Sequence, residues 1–359
     1  MTGHVLTAML AIALTVQPQV ASASGQGPLH IAVEQLTELP SGVRQPEGLA
    51  IDPATGEIFV GTFDARMPEP ERNNQLLRFS RQGKLLEQRR FGATPLTGLA
   101  FAQGKVYVRN FGASKLQRLP ATFDASTPIE DVVTFKALTP AAPTSRHIDN
   151  PEGSHDQIVY GSSGFPGING MVFDRAGNLY VSDSFQGAIY RITQATACSP
   201  CEVSVVSRDA LLGTSAPLPF GANGLALSED ESTLYVTNAG DGRLLRMRLP
   251  AGPLEIVAES VFGADGLLFH QGLFWIASNQ TDTVVALDET GRMRVRAGGF
   301  IGIGNGAPIG LLFPASTAVQ NEWMIVTNLS LPITPMKGDE WEEEVSRWTL
   351  SRFRLPFIQ

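Results

Sequence analysis

Short apolar runs recur along the chain between turns rich in Asp, Gly, Asn and Pro, with little of the helical period that marks amphipathic helix. One unit appears six times: a Gly-containing opening, an apolar strand, a turn, then a β-branched or aromatic strand ending in a small polar residue. The copies are PEGLAIDPATGEIFVGT from Pro46, TGLAFAQGKVYVRN from Thr97, INGMVFDRAGNLYVSD from Ile168, ANGLALSEDESTLYVTN from Ala222, ADGLLFHQGLFWIAS from Ala264 and the weaker IGLLFPASTAVQNEWMIVTN from Ile309. Their reference positions Glu47, Thr97, Asn169, Asn223, Asp265 and Ile309 are 50, 72, 54, 42 and 44 residues apart, spacings that fit propeller blades. Each copy runs on into a third strand, such as QLLRFS from Gln75 or AIYRIT from Ala188, and outer-strand candidates follow the first five. The sixth lacks one, and HIAVEQLTEL from His30 is available to fill it. The pattern therefore predicts an all-β, six-bladed β-propeller of four-stranded blades, closed by pairing the two ends of the chain so that no sheet edge stays open.

The stretch 120–166 interrupts this rhythm. It holds a further strand candidate, DVVTFKAL from Asp131, and a Pro/Ser-rich part with His147 and His155, and it is placed as an insertion over one propeller entrance. At the amino end, the apolar run Val5 to Val16 precedes Ala21-Ser22-Ala23, so residues 1–23 read as an export signal, despite the absence of Lys and Arg from Met1 to His4. Residues 24–359 then form one propeller domain, secreted or periplasmic. No later apolar run is long enough to span a bilayer, so no stable membrane insertion is expected after processing.

Composition narrows the partners. With 27 Lys plus Arg against 35 Asp plus Glu and a net charge of −8, the chain lacks the electrostatics of a nucleic-acid binder, and a small-molecule partner is expected. The 36 Gly and 24 Pro exclude a helical bundle. The only cysteines, Cys198 and Cys201 in CSPC, are too few for a zinc site and read as a short surface disulfide.

The chemistry falls at the blade openings, where equivalent inner-strand positions of a radial fold converge on the central channel. Glu47, Asn169, Asn223 and Asp265 bring two carboxylates and two amide carbonyls to that axis. This all-oxygen set suits a hard, flexibly coordinated cation, and Ca2+ fits best. Taken singly, each has a plainer reading as a rim charge, a cap or a turn residue; their alignment is what makes them ligand candidates. Asp265 is also the first candidate catalytic base, with His147 and His155 as secondary proton-transfer candidates that serve equally well as solvated loop residues. Asn110, Asp183 and Asn238 end second strands and are candidates to support the ligands or touch substrate, or simply to cap turns. No G-x-S-x-G elbow, dinucleotide cradle, Walker A or H-E-x-x-H motif is present.

The phrases PEGLAID, INGMVFDRAGNLYVSDS, GANGLALSEDESTLYVTNAGDGRLLRM and ADGLLF resemble the SMP-30/gluconolactonase/LRE family, and more distantly the paraoxonases. The resemblance implies a six-bladed hydrolase whose central calcium is held by a Glu, two Asn and an Asp, matching Glu47, Asn169, Asn223 and Asp265. PEGLAI lacks the aromatic residue common in that family after its first motif, and the long insertion before Asn169 is distinctive, which sets gluconolactone specificity in doubt. The expected activity is calcium-dependent hydrolysis of a lactone or ester, with water or a carboxylate as nucleophile. A noncatalytic calcium-stabilised binding propeller and an organophosphate hydrolase are the alternatives.

Overall fold

The second strand of each repeat is buried nearly throughout, as in Ile58–Thr62, and the first strand is buried at its opening, through Pro46–Ala50 in the first copy, which is why they read as almost continuous apolar runs. The outer strand of the first copy alternates instead: along Leu85–Gly92 half-buried residues take turns with exposed ones. The computed structural model describes residues 27–357, apart from Arg66, 140–144, 150–152, 154, 160–164 and Pro335. The proposed signal segment 1–23 lies outside the described residues.

Six antiparallel sheets form the ring, with inner strands Pro46–Ile51, Leu96–Ala102, Ile168–Phe173, Ala222–Leu227, Ala264–His270 and Pro314–Gln320 opening blades 1 to 6. The chain ends close it as expected. Glu34–Glu38 pairs antiparallel with the last strand, Thr349–Arg354, and becomes the outermost strand of blade 6. HIAVEQLTEL does more than fill that vacancy, because its first two residues belong to a strand, Leu29–Ile31, that lies parallel to Met293–Ala297 as a fifth strand of blade 5. Six apolar clusters hold the ring, each drawn from two consecutive blades. Leu49, Ile58 and Val60 of blade 1 pack with Ile325 and Leu350 of blade 6, so the closing interface is as apolar as the rest.

Two expectations need correction. The sixth inner strand begins at Pro314, and the residue equivalent to Glu47 is Ala315, not Ile309. IGLLF mimics the inner-strand phrase, but Ile309 sits in a separate two-stranded hairpin, Phe300–Gly304 with Ala307–Gly310. Within 120–166, DVVTFKAL is not part of an entrance insertion: Glu130–Thr134 is the fourth strand of blade 2. The remainder contains a second hairpin, Ser145–Asp149 with His155–Val159. Cys198 and Cys201 form the expected disulfide in the turn between the third and fourth strands of blade 3.

Every inner strand breaks register near its opening, between Pro46 and Leu49 in blade 1 and at the same point in the other five. In blades 1, 3, 4 and 5 the glycine after the reference residue is needed there because the next blade's backbone presses on it. A Cβ on Gly170 would stand 1.9 Å from the Asn223 carbonyl oxygen, and one on Gly266 would stand 2.5 Å from that of Ala315. Gly170→Ala is expected to cost about 3 kcal/mol, the upper part of the range for overpacking. Denaturant midpoints compared with wild type test this, and equal midpoints would mean that the blades move apart freely.

Candidate metal centre

The bulges carry the reference residues to the axis, where Glu47, Thr97, Asn169, Asn223 and Asp265 line one central cleft. All five are at least nine-tenths buried. Neighbouring blades lock this ring through hydroxyls: Ser182 Oγ donates to the Asn223 carbonyl at 2.6 Å, Thr237 Oγ1 to that of Asp265 at 2.6 Å, and Thr327 Oγ1 to that of Glu47 at 3.1 Å. Thr97 Oγ1 donates to the Ile168 carbonyl at 3.0 Å, so its hydroxyl is committed to the scaffold. The sixth position, Ala315, offers no side-chain ligand atom.

Asp265 is held by the Asn279 amide. Asn279 Nδ2 donates to its Oδ2 at 3.2 Å, and the Asn223 amide beside it favours the charged carboxylate. Asn169 commits its amide nitrogen to Ser184 Oγ at 3.3 Å. Glu47 Oε2 and Asn279 Oδ1 are buried with no hydrogen-bond partner. Unpartnered buried oxygens are costly unless a cation or proton meets them. Two carboxylates and amide side chains lining one buried cleft therefore fit a hard divalent ion.

Two members of the site escaped the repeat pattern. Asn279 follows the second strand of blade 5 by one residue and lines the cleft. Arg109 is the penultimate residue of the second strand of blade 2, where the other blades carry Gly61, Ser182, Thr237, Ala277 and Thr327. Its guanidinium is buried, donates from Nε to the Gly98 carbonyl at 3.3 Å, leaves Nη1 without a partner, and lines a second chamber behind the ring with Glu47, Asn169, Asn223 and Asp265. Gly98 makes room for it, since a Cβ there would stand 1.4 Å from Nη2. A lone charged residue in that small-residue column was the available signal.

Electrostatics bind these groups together. Burial, reinforced by the Asp265 charge and opposed by Arg109, raises the Glu47 carboxyl well above the usual range. Burial pushes Asp265 up to about 7 against the lowering effect of the Asn279 and Asn223 amides and of Arg109. Burial also lowers Arg109 to about 9, while both carboxylates favour its charged form. It remains a cation at neutral pH.

The strand-ending candidates are placed elsewhere. Asn110 accepts from Ala113 N at 3.1 Å. Asn238 donates to the Leu211 and Gly213 carbonyls at 2.9 and 2.7 Å. Asp183 is fully buried and accepts from Gly167, Phe185 and Gln186 backbone amides and from the Tyr190 hydroxyl. All three order turns, and none lines the cleft. His147 and His155 lie in the Ser145–Asp149 and His155–Val159 hairpin, and their side chains lie outside the described residues.

The architecture can be set beside known proteins. The calcium-binding protein regucalcin from Agrobacterium tumefaciens superposes with a TM-score of 0.57 at 16% identity, covering 92% of this chain and 98% of its own. A gluconolactonase from Xanthomonas campestris gives 0.53 at 15% identity, covering 90% and 89%. Virginiamycin B lyase from Staphylococcus aureus gives 0.54 at 11% identity, covering 90% and 99%. The fold is theirs. At these identities the likeness shows architecture alone, and the three proteins differ in what they do. No family model and no curated protein matches the chain.

Proposed function

We propose that the chain is a calcium-dependent hydrolase of a lactone or ester, related to the SMP-30/gluconolactonase group and exported. The observation that carries this is the buried oxygen cluster on the propeller axis, with Glu47 Oε2 and Asn279 Oδ1 unpartnered at the floor of a cleft. The calcium-binding and lactonase relatives of the same fold support it.

Glu47, Asn169, Asn223 and Asp265 would hold the ion, with Asn279 beside them. Bound there, calcium supplies electrophilic polarisation of the acyl oxygen. Asp265, oriented by Asn279, takes the proton of the attacking water as its oxygen adds to the acyl carbon. The acyl C–O bond then breaks and the departing alkoxide takes up that proton. Buried inner-strand residues keep the carboxylate and its amides fixed throughout.

The test is turnover by the purified protein across varied lactones and esters, with paired samples stripped of calcium and replenished. Calcium-restored hydrolysis is expected. Inactivity at verified calcium occupancy would move the reading to a binding propeller.

Metal-free protein should also show a distinct pH response. Glu47 and Asp265 have folded pKa values above their unfolded ones, so between about 4 and about 7 the folded chain binds more protons than the unfolded chain. Stability of the metal-free chain therefore falls as pH rises through that window. A cation held by the ionised carboxylates removes this loss. The melting-temperature increase on adding calcium is expected to be larger at pH 8 than at pH 5, measured against chelator-treated samples; a pH-independent increase would contradict the assignment.

A further inference from the structure

The wall of the cleft differs from its floor. Above the oxygen ring stand Phe63, Leu218, Phe220, Phe313, Leu329 and Leu331. Phe63, Phe313, Leu329 and Leu331 pack into one apolar cluster of their own, separate from the six that join the blades. A chain of rings extends the surface: Phe63 meets Phe111 at 5.5 Å, Phe111 meets Phe185 at 5.6 Å, and Phe185 meets Phe220 at 5.4 Å between centroids. Several occupy equivalent places, because Phe63, Phe111 and Leu329 each directly follow the second strand of their blade.

Among the described residues, no Lys, Arg or His and no free hydroxyl lines this cleft. Thr97 is committed to the Ile168 carbonyl and the Asn279 amide to Asp265. A polyhydroxylated ligand would bring several hydroxyls against aromatic faces with no side chain of that wall to pair them, and an apolar pocket disfavours even one added hydroxyl by about 100-fold.

From this we infer that the substrate is a lactone or ester carrying a hydrocarbon substituent, alkyl or aryl, and that sugar-type lactones are poor substrates. The acyl oxygen faces the oxygen ring while the substituent lies on the Phe63 to Phe220 wall. This rests on the hydrolase reading above, but the apolar wall itself is independent of the metal.

The experiment compares kcat/KM of the calcium-loaded protein for δ-lactones with alkyl tails of rising length and for glucono-δ-lactone. In parallel, calorimetry follows binding of the matching δ-lactams, which resist hydrolysis. Each added methylene is expected to raise kcat/KM about fourfold until the wall is covered, the equivalent of about 0.8 kcal/mol, with glucono-δ-lactone at least about 100-fold below the best alkyl lactone. Phe220→Gln, a half-buried loop position, should flatten the dependence on tail length. Glucono-δ-lactone turned over as well as the alkyl series would sink the substrate assignment and leave the hydrolase reading standing. If no lactone turns over at verified calcium occupancy, the hydrolase reading fails and the lactams decide. Tighter binding with longer tails then supports the apolar site, and tail-independent binding overturns it.

Discussion

Asp265→Asn is expected to lower turnover of any accepted lactone or ester by at least about 100-fold, the lower end for removing a positioned proton acceptor, and to weaken calcium binding about 1000-fold. The substitution keeps the shape and one oxygen donor, so it isolates charge. A unit charge pair at about 4 Å is worth about 4 kcal/mol at the effective dielectric that suits such sites, and about 1.4 kcal/mol corresponds to a factor of ten. The charges on the ring are Glu47, Asp265 and the opposing Arg109, a sum of −1 that the variant reduces to zero. The same change relieves the repulsion between Asp265 and Glu47. Metal-free Asp265→Asn protein should therefore melt at or above the metal-free wild type at pH 8, which separates the effect from a folding defect. Calorimetric calcium titration and kcat at saturating calcium measure both halves. Near-normal kcat with the metal shown to be bound would remove Asp265 as the base while leaving the metal centre intact.

Why these residues were readable, and others not, follows from strand geometry. Glu47, Asn169, Asn223 and Asp265 repeat because six inner strands need the same bulge at the same place, so their side chains meet at the axis whatever chemistry they carry. Blade count and ring closure were legible for the same reason. The sixth opening was misplaced because IGLLF copies the apolar phrase, and only the pairing of Pro314 with Asn328 reveals the true phase. Second strands misled by a single residue. Asn110, Asp183 and Asn238 end those strands and tie down turns. Arg109 lies one residue before such an end and Asn279 one residue after, and both reach the axis. Successive strand side chains point to opposite faces, so a shift of one exchanges scaffold for site.

Arg109 gives the second large effect. Replacing it by Met keeps much of the aliphatic stem and removes the charge, leaving Glu47 and Asp265 as an uncompensated −2 in a buried chamber. Breaking a buried ionic cluster by deleting one partner typically costs about 3–5 kcal/mol, and proton uptake by the raised carboxyls recovers part of it. The metal-free variant is therefore expected to melt several degrees below metal-free wild type at pH 8. Calcium should bind it more tightly, by about 10- to 100-fold, because the guanidinium repels an incoming cation from behind the ring at a separation somewhat beyond direct contact. The two effects have opposite signs, so the gap between metal-free and calcium-loaded melting temperatures widens. Paired melts and calcium titrations of Arg109→Met and wild type read both. A lost melting temperature with an unchanged calcium affinity would make Arg109 a packing residue of the Gly98 slot. Opposite movement of the two quantities would make it the resident countercharge of the centre, fixing how much metal the protein needs to stay folded and ionised at its axis.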